Sequence, residues 1–278
     1  MSWWLWKIVL ALFSLYMGIA LALYFLQRKL VFSPNPTYVS PDDIELKGID
    51  EVVLKTKKEG FKLYSWYAKA APNKPTLLFF HGNGGNVANR EEKFRQLMAE
   101  GYGVFMLGYR GFGGSEGKPS EEAFVKDAFV AYDYLRDVAK VDEQQIVIYG
   151  ESIGSSVATQ LAARVEAQAL VLEAPMSSVT AVAQSRYPYL RVRPFLRDRF
   201  ESDRYIANIA MPLLVVHGDN DQVIPLNFGE DLFDAAVEPK EMKVIEGAGH
   251  NDLYDFPLVA EVVRFLSQLD SVLEVKNN

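Results

Sequence analysis

The sequence predicts an α/β fold, with a mostly parallel sheet covered by helices on both faces. Two patterns and one coincidence predict it. Apolar runs of four to six residues, the length of buried strands, recur at 76–80, 103–108, 146–149, 169–172, 213–216 and 242–246. Between them, stretches at 87–100, 120–138, 155–165, 226–236 and 257–269 repeat their apolar residues at helical spacing. Strands that alternate with helices pair in parallel, because a parallel crossover needs a helix's length of chain. The coincidence is that Asn83, Ser152, Asp221 and His250 each fall just after a predicted strand. Parallel sheets bind ligands at the carboxyl ends of their strands, so four chemically useful residues are directed to the edge where a site would form.

The chain has 278 residues, 49% hydrophobic and 23% charged, which is enough apolar material for a full core. A formal net charge of −7 disfavours nucleic acid as a partner. The absence of cysteine excludes disulfides, thiolate metal sites, a cysteine nucleophile and cysteine-linked lipid. No group of histidines and carboxylates has metal-ligand spacing. The glycine-rich loops after 76–80 and around Gly111 neither end in Gly-Lys-Ser/Thr nor complete G-x-G-x-x-G, so no nucleotide or other cofactor is expected.

Taken in order, residues 1–29 are expected to be a membrane anchor. Residues 8–26 carry no charge and, at about 1.5 Å per residue, are long enough to cross a hydrocarbon core of about 30 Å. Trp3, Trp4 and Trp6 at one end, and Tyr24, Arg28 and Lys29 at the other, suit the two interfaces. A cleaved signal peptide is the alternative, although the apolar part is long for one. Lys7 and the amino terminus nearly balance Arg28 and Lys29, so charge does not choose an orientation. Residues 30–50, with Pro34, Pro36 and Pro41, read as an extended tether. Between Leu26 and Glu51 lie 24 residues, reaching at most about 80 Å.

Residues 51–278 are the expected catalytic domain. Loose alternation over 51–70, broken at Lys57, Lys58, Glu59 and Gly60, predicts a hairpin. The stretch 87–100 puts Phe94, Leu97 and Met98 on one helix face. Ser120 and Glu121 cap a helix whose stripe is Phe124, Ala128 and Leu135. Residues 176–210 are the least regular, and Pro257 is tolerated in the first turn of the closing helix.

The strand at 146–149 runs straight into Gly150-Glu151-Ser152-Ile153-Gly154 and then into a helical pattern. A sharp strand-to-helix turn strains the central serine and exposes its hydroxyl. Small residues two positions either side avoid collision across that turn. Ser152 is therefore the candidate nucleophile, and it needs a base. Of three histidines, His81 and His217 precede glycine at strand ends and read as loop-shaping, whereas His250 lies on a loop able to swing to Ser152. That imidazole needs a carboxylate to hold its tautomer. Asp221, 29 positions earlier, follows the preceding strand. Its rivals are Asp219, expected to make a local turn bond, and Glu173, expected to order the loop beneath the site. Asp252 is expected to start the next helical turn. Two backbone donors for an oxyanion are expected from Ile153, at a helix start, and Asn83, in the loop after 76–80. With His250 as base, activity is expected to rise between about pH 6 and 7.

The order Ser152, Asp221, His250, with HGNGGN at His81, YRGFGGSEGKPS at Tyr109, GESIG at Gly150, HGDNDQVIP at His217 and EGAGHND at Glu246, resembles the α/β-hydrolase superfamily. The likeness covers roughly residues 51–269. Within the superfamily it is most similar to small membrane-anchored serine hydrolases related to the bud-emergence protein of yeasts and to animal protein depalmitoylases. Dehalogenases and epoxide hydrolases of the superfamily carry aspartate at the elbow, so Ser152 speaks against those chemistries. The resemblance implies an α/β-hydrolase fold and a serine hydrolase that cleaves an ester or thioester, membrane-borne or not. It also implies a lid at 176–210, here short. That segment interleaves Arg186, Arg191, Arg193, Arg197, Arg199 and Arg204 with Tyr187, Tyr189, Phe195 and Phe200. It reads either as a solvated helix face or as a basic, aromatic rim for anionic lipid. A serine peptidase of the same fold and a non-catalytic membrane scaffold are the alternative functions. The oligomeric state is left open.

Overall fold

The computed structural model describes residues 3–44 and 46–277, with side chains as far as Leu269. Helix α1 (Trp3–Val31) leads into a two-residue strand, β1 (Ser33–Pro34), and then into the hairpin β2 (Ile49–Lys55) and β3 (Lys62–Ala68). Strands and helices alternate thereafter. They are β4 (Thr76–Phe80), the short β5 (Gly84–Gly85), α2 (Glu91–Ala99), β6 (Gly103–Met106), α3 (Glu121–Asp133), β7 (Ile146–Glu151) and α4 (Ile153–Ala162). Next come β8 (Ala169–Glu173), α5 (Val179–Arg186), β9 (Leu213–Gly218), α6 (Leu226–Ala235), β10 (Lys240–Ile245) and α7 (Leu258–Asn277).

The main sheet has the order β10-β9-β8-β7-β4-β6-β3-β2. Its neighbours are parallel from β10 to β6, and the hairpin adds two antiparallel strands at one edge. Every residue of β4, β6 and β8 is buried, as a strand covered on both faces requires. Alternate residues of β4 serve two cores. Leu78 and Phe80 join Phe124 of α3, Val157 of α4 and Leu232 of α6, while Leu77 and Phe79 join Phe94 of α2 and Val262 of α7. After β4 the chain steps to β6 on one side, then crosses to β7 on the other. The crevice at the carboxyl ends of β4 and β7 is thus the switch point where such sheets bind ligands.

Several boundaries differ from expectation by a few residues, and three helix ends differ in kind or extent. The helix at 87–100 opens with a 3-10 turn, Val87–Arg90, and that at 120–138 ends in a wide turn, Tyr134–Val138. Helix α7 continues to Asn277, past the proposed end at 269.

The described part of residues 30–50 is laid against the domain instead of running free. Phe32 is buried against Phe124 and Phe200, with ring centroids 5.2 and 6.1 Å apart. Strand β1 pairs with β5 in the loop after β4. The carbonyls of Asn35 and Pro36 accept from the N–H groups of Gly113 and Gly114 at 2.8 and 2.9 Å. Asn86 Nδ2 donates to the Thr37 carbonyl at 3.0 Å. The two glycine-rich loops carry backbone donors that need acceptors, and an extended, proline-held strand supplies them. The 80 Å reach of a stretched tether therefore does not apply, because the domain begins at the end of the helix.

Helix α1 has the length and composition to cross a membrane. Most of its apolar side chains are exposed, but Ala20 and Gln27 are buried. Segment 176–210 holds α5 and three 3-10 turns. Its return is pinned to the start of α3, where the Glu121 carboxylate accepts from the N–H groups of Arg199 and Phe200 at 2.8 and 2.9 Å.

Candidate active site

Ser152 sits between the last residue of β7 and the first of α4 with φ 54° and ψ −120°. This left-handed backbone is strained for a residue with a side chain. It persists because the surroundings enforce it. A Cβ on Gly150 would lie 2.5 Å from the Gly154 carbonyl oxygen, and one on Gly154 would lie 2.0 Å from that of Phe80. Only glycine at both positions lets the helix start cross the strand ends this closely. The Ser152 N–H donates to the Glu173 carbonyl at 2.9 Å, tying the elbow to β8.

His250 reaches across from the loop after β10. Its Nε2 is 3.0 Å from Ser152 Oγ, and its Nδ1 is 2.7 Å from Asp221 Oδ2. A carboxylate can only accept, so Nδ1 carries the proton and Nε2 is free to take one from serine. Asp221 Oδ1 accepts from the N–H groups of Val223 and Ile224, both at 2.8 Å. Burial alone would raise the Asp221 pKa, but bonds from His217, His250 and the Ile224 N–H outweigh it and hold this carboxyl well below the usual range. It is an anion at any working pH.

The carboxylates weighed against Asp221 have other tasks. Asp219 Oδ1 accepts from Gly247 N–H at 2.7 Å and Asp252 Oδ1 from Gly249 N–H at 2.6 Å, so both brace the loop that presents His250. Asp219 thus makes a bond across 28 residues where a local turn bond was expected. Asp252 also precedes the turn Leu253–Asp255, as expected. His217 does more than shape its loop. Its Nε2 lies 2.8 Å from the Ile224 carbonyl and 3.3 Å from Asp221 Oδ2.

The loop after β4 passes over the serine. A Cβ on Gly82 would be 3.5 Å from Ser152 Cβ. Asn83 lines one cleft with Ser152 and His250, and its carbonyl accepts from Ser33 N–H at 2.9 Å. Ile153 opens α4, where a first-turn N–H has no partner within the helix.

A family model described as serine aminopeptidase, S33, matches residues 71–200. An uncharacterised protein of Mycobacterium tuberculosis is 34% identical over 90% of this chain and 91% of its own length. Alpha/beta hydrolase domain-containing protein 17B of Homo sapiens is 33% identical over 75% of this chain and 72% of its own length. The chain belongs to the α/β-hydrolase superfamily. A Pyrococcus furiosus esterase structure shares the fold with a TM-score of 0.69 at 22% identity, covering 86% of this chain and 97% of that one. The protein is a serine-hydrolase-type enzyme.

Beside the elbow, this hydrolase carries a buried charge cluster that sequence reasoning missed. Glu151 bonds Arg90 at 2.9 Å and Lys93. Lys93 also contacts both Glu173 oxygens at 3.1 and 3.4 Å, and the hydroxyls of Tyr149 and Tyr254 donate to Glu173 at 2.9 Å each. Burial pushes the Glu151 carboxyl up, but the charges of Lys93 and Arg90 overcome this and hold it below the usual range. Burial, then the charge of Glu173, pushes both phenols well up, so they remain donors. The Glu173 carboxylate, expected to order the loop beneath the site, thus ties together Lys93, Tyr149 and Tyr254 beside the cleft. Glu151, inside the elbow motif, was the one available signal, because Arg90 and Lys93 lie some 60 residues away.

Several arginines of segment 176–210 are engaged within the protein. Arg193 and Arg204 both bond Glu201 at 3.0 Å, and Arg186 donates to the Gln222 carbonyl at 2.8 Å. Tyr187 and Tyr189 are exposed, whereas Phe200 is in the core.

Proposed function

We propose that this enzyme is a membrane-tethered hydrolase of carboxylic esters or thioesters that works through an acyl-enzyme. The observation that carries this reading is the Ser152–His250–Asp221 relay, with contacts of 3.0 and 2.7 Å. Ser152 Oγ attacks the substrate carbonyl while His250 Nε2 takes its proton. The Asn83 and Ile153 N–H groups hold the oxyanion. His250 returns the proton to the leaving alcohol or thiol, and water, activated by the same imidazole, releases the acid. Asp221 holds the tautomer and stabilises the imidazolium. The exposed apolar surface of α1 and the likeness to the human relative support a place among the small membrane-anchored members, with membrane lipid as neighbour.

The S33 match favours a second reading, a peptidase acting on short peptides. An aminopeptidase needs an uncompensated carboxylate for the substrate's α-amino group. Glu151 and Glu173 line the cleft, but Arg90 and Lys93 already neutralise them. That balance favours the ester reading. Turnover of an acyl thioester against a peptide amide in matched conditions separates the two.

The direct test is Ser152→Ala, which should lower turnover by several orders of magnitude with an unchanged melting profile. Unchanged hydrolysis in the purified variant would sink the mechanism.

A further inference from the structure

Between α1 and the lid lies a cavity of about 470 Å3, within the size range of small-molecule sites. Tyr16, Leu23 and Val31 line it from α1, and Val179, Ala183 and Leu196 from the lid; Arg191 is the one charged residue among its described lining. We propose that this cavity receives the acyl chain of the substrate, with the membrane helix itself as one wall. The proposal rests on the ester or thioester reading above.

Its position relative to the reaction centre is the first support. Val31 is in the lining, and its carbonyl accepts from Asn83 Nδ2 at 2.9 Å, which joins the cavity wall to the loop assigned to the oxyanion. Val179, on the opposite wall, follows Glu173 by six residues, and the Glu173 carbonyl holds the Ser152 N–H. The chain that leaves Glu173 thus runs on to one wall of the cavity, and the Asn83 loop is bonded to the other. At the other end, Tyr16 and Ile19 belong to the uncharged stretch of α1. From Tyr16 to Val31 the helix rises about 22 Å, a run long enough for an extended fatty acyl chain.

The second support is how the two walls are joined. Gln27 Nε2 donates to the Phe195 carbonyl at 2.9 Å, and Gln27 Oε1 accepts from Arg197 N–H at 2.7 Å. Arg28 grips Asp198 through two bonds of 2.6 and 3.1 Å. These polar contacts hold the lid to the helix and leave the apolar faces beside them apart. Each methylene that leaves water for such a face improves binding by about a factor of four. The cleft that Ser152 shares with Lys93, Glu151 and Glu173 is charged and unsuited to a hydrocarbon tail. A tail already dissolved in the bilayer can enter along α1 without crossing water.

The test uses the full-length chain in nanodiscs of zwitterionic lipid, with nitrophenyl acetate and nitrophenyl palmitate as substrates. Ala183→Trp fills the cavity from the lid and Leu23→Trp fills it from the helix. Each should lower kcat/KM for the palmitate about ten-fold or more, the equivalent of roughly two lost methylene contacts, and leave the acetate unchanged. Melting midpoints of both variants check that the lid and helix remain docked. Equal effects on the two esters, or no effect on either in folded protein, would overturn the acyl site while leaving the esterase reading intact. Failure of wild-type protein to cleave either ester, together with no labelling of Ser152 by a short phosphonate, would overturn both.

Discussion

Ser152, the proposed nucleophile, is held in a strained backbone by its neighbours. The backbone at φ 54° is unfavourable locally, and the crossing at Gly150 and Gly154 with the bond to Glu173 maintains it. At this scale the carboxylates can be told apart. Asp221→Asn should cost on the order of 10⁴ in turnover, because an amide can stabilise the wrong imidazole tautomer. Asp219→Asn should cost far less, since the amide oxygen still accepts from Gly247. Steady-state kinetics on one ester decides it, and a comparable loss in Asp219→Asn would show that the position of the His250 loop controls the rate. His81 supports a pH prediction. It is fully buried, its Nδ1 donates to the Gly82 carbonyl at 2.8 Å, and its Nε2 has no partner among the described residues. Burial, aided by the Arg90 charge, lowers its pKa from 6.5 to about 3. Below about pH 6.5 the unfolded chain therefore binds a proton that the folded state refuses, so stability falls with pH. The slope is at most about 1.4 kcal/mol per pH unit. Lowering the pH from 6.5 to 5 should lower the urea midpoint of the wild type, and lower it less in His81→Gln; an equal slope in both would refute the assignment.

At the scale of elements, the short pairing of β1 with β5 matters more than its length suggests. It fixes the loop carrying Asn83 from the side opposite β4, so the proposed oxyanion donor is held by two segments. Asp198 has a similar standing in the lid. Its carboxylate accepts from Arg28 and, at 3.0 Å, from the Glu121 N–H at the start of α3. Helix α1, segment 176–210 and helix α3 therefore meet at one buried carboxylate. Arg28→Ala leaves Asp198 with a single donor among the described residues, and because Arg28 is partly exposed the loss should be modest, about 1 kcal/mol. The effect should appear locally. Limited proteolysis between Arg186 and Leu196 should speed up while the melting midpoint of the domain hardly moves, and an unchanged cleavage rate would mean the lid is held without the anchor.

For the whole molecule, the helix and the catalytic domain cannot be treated as beads on a string. Phe32 is packed in the core one residue after α1 ends, which holds the domain against the helix terminus. A chain beginning at Val31 keeps Phe32 but loses the Gln27 and Arg28 contacts. It should cleave a vesicle-borne long-chain ester more slowly than the full-length protein and a soluble acetyl ester at the same rate. Equal rates on vesicles, with acetyl preferred over long chains, would leave the anchor a matter of location alone.

The α/β architecture, and the placement of Ser152, Asp221 and His250 at one edge of its sheet, were legible in the sequence because each depends on local order. Apolar runs mark strands, helical spacing marks crossovers, and a residue just after a strand must emerge at one edge of a parallel sheet. Distant partners leave no such trace. The cluster of Arg90, Lys93, Glu151 and Glu173 spans separations of 58 to 80 residues, and Arg28 meets Asp198 across 170. Which charges become buried together depends on how helix faces align against the sheet, and no periodicity records that. Asp219 was misread for the same reason, as its acceptor role exists only once β9 and β10 lie side by side. The proline-rich stretch after α1 looked like a tether because extended backbone without apolar periodicity resembles one. Only the folded glycine loops, with N–H groups in need of acceptors, made it part of the domain.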